Sequence, residues 1–553
     1  MAAVICIDSS ELILKDGARI IGNKADHGGG MRANNATVTI TGCTIASNTA
    51  YDYGGGIDSE KGSVAIIGGT IERNTANRFG GGIYIDKDCT VELQNDASGN
   101  GVSLIGNTAA KGGGVFIEKD NTIFTINGSS CVTPSTGEDA NKAGKNDVYL
   151  DDIGSGTSIS RITVTGSLTP PGGIAARITP ATYSTTTQVL DGSAVGTKYG
   201  KFTVTPNGSD VWKINDQGML FLHEATVTGT DTSTDAWKKL KEAVTNVADG
   251  GTITINGKIK ATSDTDNFGE ILINKNLTIK GADKNNDKLD AYTLNRIIKV
   301  TGSGVTLTVK NLMLTGGKAS DTATSEEEKN GSGVYVDSGS NLTMTASLIQ
   351  GCTAGKDGGG IYTKGSMVTM TDSDIKKCEA KSGGAIYAFS NESPAPSVHI
   401  TNGTIGGTDE EANKATGTDI DSGKGGGIFI QGNDSTLMLE GSATLTGNTA
   451  EKFGGGVYFD GGTFTMKGAS RITPDTNKND VYLDNLKMIT LPDPLTGAAP
   501  VARITPALYG ADKKVLTGSA VSTNYTKFTV TPEELSSGNT QDWKIKNDGM
   551  LHK

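Results

Sequence analysis

The sequence predicts an all-β fold: a parallel β-helix solenoid, duplicated, with each copy followed by a strand-rich C-terminal module. Three observations predict it. Glycine triplets recur at Gly28, Gly54, Gly80, Gly112, Gly358, Gly425 and Gly454, with degenerate copies at Gly331-Ser332-Gly333 and Gly383-Gly384-Ala385, and several intervals are about 26 residues. Upstream of the triplets runs an Ile/Leu-x-x-Asn element: Ile20…Asn23, Ile45…Asn48, Ile71…Asn74, Leu104…Asn107 and Leu445…Asn448, with cysteine in the Asn slot at Cys352 and Cys378. Between them, segments such as Ser63–Ile67 and Gly82–Asp86 alternate apolar with small or polar residues. Self-similarity at a fixed period marks a solenoid, and alternation of period two between Gly, Asn and Asp turns marks short strands.

Three strands in so short a repeat cannot pair as hairpins and still recur regularly. They pair instead with their equivalents one repeat on, in rungs about 4.8 Å apart. Segments dense in Gly, Thr and Asn carry no helical stripe, which excludes a helical solenoid. Glycine suits the corners because positive φ costs it nothing. An inward Asn at each corner would hydrogen-bond the turn and the Asn of the next rung, satisfying buried polar groups.

In chain order, residues 1–145 form the first β-helix and 146–222 a strand-rich module. Residues 223–478 form the second β-helix and 479–553 a second module that repeats the first: Asn146-Asp147-Val148-Tyr149-Leu150-Asp151 returns as Asn479-Asp480-Val481-Tyr482-Leu483-Asp484, and Ala176-Arg177-Ile178-Thr179-Pro180 as Ala502-Arg503-Ile504-Thr505-Pro506. Each module is expected to cap an open end of stacked strands. Near 235–248, Trp237, Leu240, Val244 and Val247 lie at helical spacing between Asp235, a candidate N-cap, and Gly250, a stop signal; this helix is expected to cover the first rung of the second unit. The first unit shows no such helix, so its N-terminal cap is expected to be missing and the sequence to be a piece of a longer chain. Polar insertions at 321–330 and 409–424 leave the coil as surface loops.

The chain has 553 residues, 77 of them Gly, and a net charge of −11. A mixed, mildly acidic surface without a basic block excludes nucleic-acid binding. Six cysteines show no CxxC pair, which argues against zinc. Cys352 and Cys378 fall on adjacent rungs, close enough for a disulfide, or for two buried free thiols. No apolar run reaches the length of a membrane-spanning helix, and the first residues carry no secretory signal peptide.

The GGxI/V element with its upstream x-x-Asn resembles the polymorphic outer-membrane protein repeats, and Gly383-Gly384-Ala385-Ile386 matches the GGAI hallmark; Ile or Leu stands where that family has Phe. The helix around Trp237 is similar to the N-terminal cap of pectin-lyase-like β-helices. The resemblance implies a right-handed coil displayed at a bacterial cell surface or outside the cell, acting as an adhesin or structural surface component. Its partner would be a host glycan or surface protein. Alternatives are a carbohydrate-active enzyme, a lyase or hydrolase, which requires an Arg/Lys and carboxylate cluster in a groove, and a self-associating fibre subunit.

The alternation nominates two rows. One position after each glycine motif's first aliphatic comes an aromatic, at Tyr84, Phe116, Tyr335, Tyr362, Tyr387, Phe429 and Tyr458. These face outward and would form a ligand-binding stripe, or pair across rungs to stabilise the sheet. Two residues further lie Glu60, Asp86 and Glu118, oxygen ligands that would suit calcium; otherwise they are turn residues and no cofactor is expected. Pectic-hydrolase signatures are absent and the four histidines have no paired setting, so no catalytic residue is assigned.

Overall fold

The computed structural model describes the chain except residues 1–4, 16, 119–120, 153–159, 265, 391–392, 475–477, 485 and 537. It divides into two compact units, Met1–Glu224 and Ala225–Lys553.

In the first unit Met31–Thr41 lies parallel to Ile57–Ile67, with Met31 opposite Ile57 and Thr41 opposite Ile67. Ile57–Ile67 in turn pairs with Ile83–Ile85 and Cys89–Gln94. Those pass on to Val115–Ile117 and Ile123–Ile126. A second sheet stacks Arg19–Ile21, Thr44–Ala46, Gly69–Glu72, Val102–Ile105 and Cys131–Val132. These strands therefore pair one repeat away, the hydrogen-bonding scheme of a parallel β-helix. Alternate side chains point inward, so columns such as Ile57, Ile83 and Val115 fill the core with no exposed surface.

The triplets meet two demands at once. Gly80 has φ +66°, where a side chain is strained, and Gly81 lies so close to the next rung that a Cβ would sit 2.4 Å from the Thr108 carbonyl oxygen.

The Asn corner is a continuous ladder. Asn74 Nδ2 donates to the Ile45 carbonyl (2.9 Å) and to Asn107 Oδ1 (3.0 Å), while Asn74 Oδ1 accepts from the backbone N and Nδ2 of Asn48 (2.9 and 3.0 Å). In the second unit it runs Asn413, Asn448, Asn479. The backbone N of Cys378 donates to Asn413 Oδ1, so the thiol rungs join the same ladder. Cys352 and Cys378 are buried free thiols, not a disulfide. Asn413 escaped the sequence pattern because the 409–424 insertion displaces it from its motif.

The strand-rich modules do not begin as separate caps. Val148–Leu150 pairs with Val115–Ile117 and passes to Ala176–Pro180 and Phe202–Val204, so the sheet continues across the change of sequence pattern. The second copy repeats this from Val457–Met466 to Val481–Leu483, Ala502–Pro506 and Phe528–Val530. Asn146 and Asn479 extend the Asn ladder into these rungs. Antiparallel pairing appears at the end of each module, where Ile214 faces Leu220 and Ile545 faces Leu551.

The helix of the second unit spans Ala236–Asn246, with Trp237 and Leu240 fully buried and Trp237 Nε1 donating to the Gly269 carbonyl (2.8 Å). Asp235 holds the N-cap position without capping; its carboxylate pairs with Lys239 (2.8 Å), and the Lys238 amide donates to Asn267 Oδ1 instead. Gly250 is no stop signal. The chain leaves the helix at Val247 and runs straight into the strand Val247–Lys260.

Candidate functional site

In-register pairing sets the outward aromatics one above another. Ring centroids lie 5.1 Å apart for Tyr335 and Tyr362, 5.4 Å for Tyr362 and Tyr387, 4.4 Å for Tyr387 and Phe429, and 5.0 Å for Phe429 and Tyr458. In the first unit Tyr84 stacks on Phe116 at 5.5 Å. Tyr149 and Tyr482 extend the two ladders, at 5.2 Å from Phe116 and 5.3 Å from Tyr458. Sequence reasoning missed both because it assigned them to the modules. The rings stand outside the aliphatic core, as alternation requires, but they do not form an exposed stripe: Phe429 is 3% and Tyr335 4% exposed.

What covers them is the residue just before each glycine motif, which lies over the ring of the following rung. Tyr53 lies on Tyr84 (4.8 Å), Phe79 on Phe116 (4.5 Å) and Phe453 on Tyr482 (4.6 Å). Elsewhere a cation takes the place: Lys111 Nζ is 4.7 Å from the Tyr149 centroid and Lys424 Nζ 5.2 Å from Tyr458. Tyr335, the first ring of its ladder, is met instead by Arg296 (Cζ 4.9 Å), which lies two residues past the cover position. In the middle of the second unit the same column reads Asn330, Asp357, Ser382, side chains too small to cover a ring. There the surface opens into a cleft of about 540 Å³ with Tyr387 in its lining.

The two insertions build its walls. Asp321, Glu326 and Lys329 come from 321–330, and Asp419, Asp421 and Ser422 from 409–424; Lys356, Asp357 and Lys381 complete it. The first insertion is tied down, since Arg296 Nη2 donates to the carbonyls of Glu327 (2.6 Å) and Asn330 (2.9 Å). Glu326 bridges Lys329 (2.7 Å) and Lys356 (2.6 Å), and these two ammonium groups hold its carboxyl down to about 2. Asp357 behaves oppositely. Burial pushes it up to about 6, with Glu326 adding and Lys356 and Lys381 opposing.

The carboxylate row lies elsewhere, on the first unit. Glu60 pairs with Arg32 (3.2 Å), Asp86 accepts from the Lys87 amide (2.7 Å), and Glu118 accepts from the Tyr84 hydroxyl. Burial raises the Glu118 carboxyl, and Asp86, hydrogen-bonded to it, adds to the rise, so these two act on one another while Glu60 is held apart by Arg32. Among the described residues no group of three or more His, Cys, Asp or Glu is placed to hold a metal ion. The first unit has a further titratable group that sequence reasoning passed over. Asp58 occupies the ladder position between Arg32 and Tyr84, is 3% exposed, and lies 3.4 Å from Arg32 Nε and 3.8 Å from His27 Nδ1. Burial raises it to about 7 against the pull of Arg32, with Asp86 and Glu60 adding to the rise. The signal was available: an Asp at the position that is aromatic in the next three rungs, Tyr84, Phe116 and Tyr149.

Residues 295–472 match the family model of the right handed beta helix region. The match covers the ladder from Tyr335 to Tyr458 and the whole cleft, and it gives the hand of the coil: a right-handed parallel β-helix. No curated protein matches the chain.

Proposed function

We propose that the protein is an extracellular surface protein, an adhesin or structural surface component, that engages its partner through the loops of its second unit. The observation that carries this reading is the cleft at Tyr387. The ladder is roofed by rings and cations in the first unit, whereas in the second the roof gives way where two polar insertions rise around it. Variable loops on a rigid scaffold are where binding surfaces concentrate. The likeness of Gly383-Gly384-Ala385-Ile386 to the polymorphic outer-membrane protein repeats supports surface display.

A specific observation favours a second reading, a carbohydrate-active enzyme: Asp357, held near pH 6 beside Lys356 and Lys381, is a carboxylate and lysine cluster in a groove. One experiment separates the two. The immobilised protein is compared with a variant in which 321–329 and 417–423 are replaced by short Gly-Ser turns, with folding checked by circular dichroism. Binding to host cells and surface glycans is expected to fall at least tenfold in the folded variant. Equal binding by both proteins would sink the loop-based reading, and shortened chains released from a polysaccharide would favour the enzyme.

A further inference from the structure

The cover positions show what this chain itself places over a ladder ring. Where the cover is complete it is an aromatic ring (Tyr53, Phe79, Phe453) or a Lys cation (Lys111, Lys424). Over Tyr387 the corresponding residue is Asp357, whose carboxyl can neither stack on the ring nor interact favourably with its electron-rich face. Tyr387 already stacks between Tyr362 (5.4 Å) and Phe429 (4.4 Å), so what stays open is the part of its face beside Tyr362, the place that Phe79 takes on Phe116 in the first unit, and it is this part that lines the cleft. The place above this ring is therefore shaped for a group from outside.

Charge says which group. Lys329 and Lys356 are both bound to Glu326. Counted whole, the lining sets Asp321, Glu326, Asp357, Asp419 and Asp421 against Lys329, Lys356 and Lys381, an acidic surplus of two around an aromatic ring. A planar cation satisfies both features: it stacks on the ring face and bonds a carboxylate with its edge. Arg296 already does both in this chain, lying 4.9 Å from the Tyr335 ring while its Nη1 bonds Glu270 (2.5 Å).

We propose that the Tyr387 cleft receives an arginine side chain of a protein partner, its guanidinium stacked on Tyr387 and bonded to Asp357. This rests on the cleft being the binding surface of the second unit, and it names the ligand. A neutral sugar ring would also stack on Tyr387 but would be indifferent to the acidic surplus.

The test uses the full chain and two fluorescent, end-blocked peptides, Gly-Gly-Arg-Gly-Gly and the same peptide with citrulline, which keeps the shape of arginine and removes its charge. Anisotropy titration is expected to show the arginine peptide binding at least tenfold more tightly than the citrulline one. Asp357→Asn is expected to erase most of that difference. Asp357→Phe supplies the ring that Phe79 supplies in the first unit, and is expected to close the site to both peptides while leaving the circular dichroism spectrum unchanged. Equal binding of the two peptides, no binding of either, indifference to Asp357→Asn, or displacement of the arginine peptide by a neutral oligosaccharide would each overturn the proposal. If the loop-replaced variant loses cell binding while both Asp357 variants keep it in full, the arginine site falls and the surface reading stands. If cell binding is indifferent to the loops but the peptide result holds, the surface reading falls instead.

Discussion

Asn74→Ala is expected to cost the first unit about 3–5 kcal/mol, because it removes the centre of a buried ladder rather than one hydrogen bond. Asn74 is fully buried. Its loss strips the acceptor from the Asn48 backbone N–H and from Asn48 Nδ2, and the side-chain donor from the Ile45 carbonyl and Asn107 Oδ1. Asn107 Oδ1 keeps the Asn74 backbone N–H and Asn48 Nδ2 keeps the Ile20 carbonyl, so the groups that lose these bonds outright are the Asn48 N–H and the Ile45 carbonyl, at about 1–3 kcal/mol each. Native-state hydrogen exchange on the full chain reads the effect locally. Amides on the rungs around Asn74 should exchange about 100-fold or more faster, while the second unit stays unchanged and Asn77→Ala, at an exposed position on the same rung, has little effect. A small or uniform change across both units would mean that the ladder is dispensable.

The second large effect is a pH dependence centred on Asp58. Its folded-state pKa is raised from 3.8 to about 7. Well below pH 3.8 the group is protonated in both folded and unfolded chains and contributes no difference. As pH rises towards 7 the unfolded chain gives up this proton more readily than the folded one, so stability is lost across that window and stays lost above it. Asp58→Asn abolishes the loss. The variant is therefore expected to gain on the parent by about 3 kcal/mol between pH 4.5 and pH 8. The cost of leaving Arg32 without the carboxylate is the same at both pH values and cancels in that difference. Denaturation at the two pH values checks it; a gap that does not widen with pH would show that the burial of Asp58 is offset by its neighbours.

The Asn corner shows how far the sequence can be read. Ile/Leu-x-x-Asn recurs because each rung needs the same amide at the same corner, and a repeated need leaves a repeated letter. The aromatic row is legible for the same reason. Its burial is not, since the ring at Tyr84 is covered by Tyr53 from the preceding rung, 31 residues away, and no alternation rule within one strand describes a contact between rungs. Tyr149 and Tyr482 were misassigned because the glycine motif lapses at Asn146 and Asn479, although the strands go on pairing without a break. The acidic row at Glu60, Asp86 and Glu118 is visible as a repeated letter, but its partners are not: Arg32 takes Glu60, the Lys87 amide reaches Asp86, and Glu118 meets both the Tyr84 hydroxyl and Asp86.

The cleft lies at the limit of such reading. The column Asn330, Asp357, Ser382 is visible in the sequence once the cover position is known, and the insertions are visible as polar interruptions. That the two insertions rise on either side of Tyr387, nearly a hundred residues apart in the chain, follows from stacking that brings distant rungs within reach. The sequence by itself determined the rung: its strands, its glycine corners, its inward amide and its outward ring, because each is a local requirement repeated at a fixed period. The tertiary structure alone decided which rings are roofed, which carboxylates find partners and where the surface opens, because those outcomes belong to neighbouring rungs and are set by what one turn of the coil lays over the next.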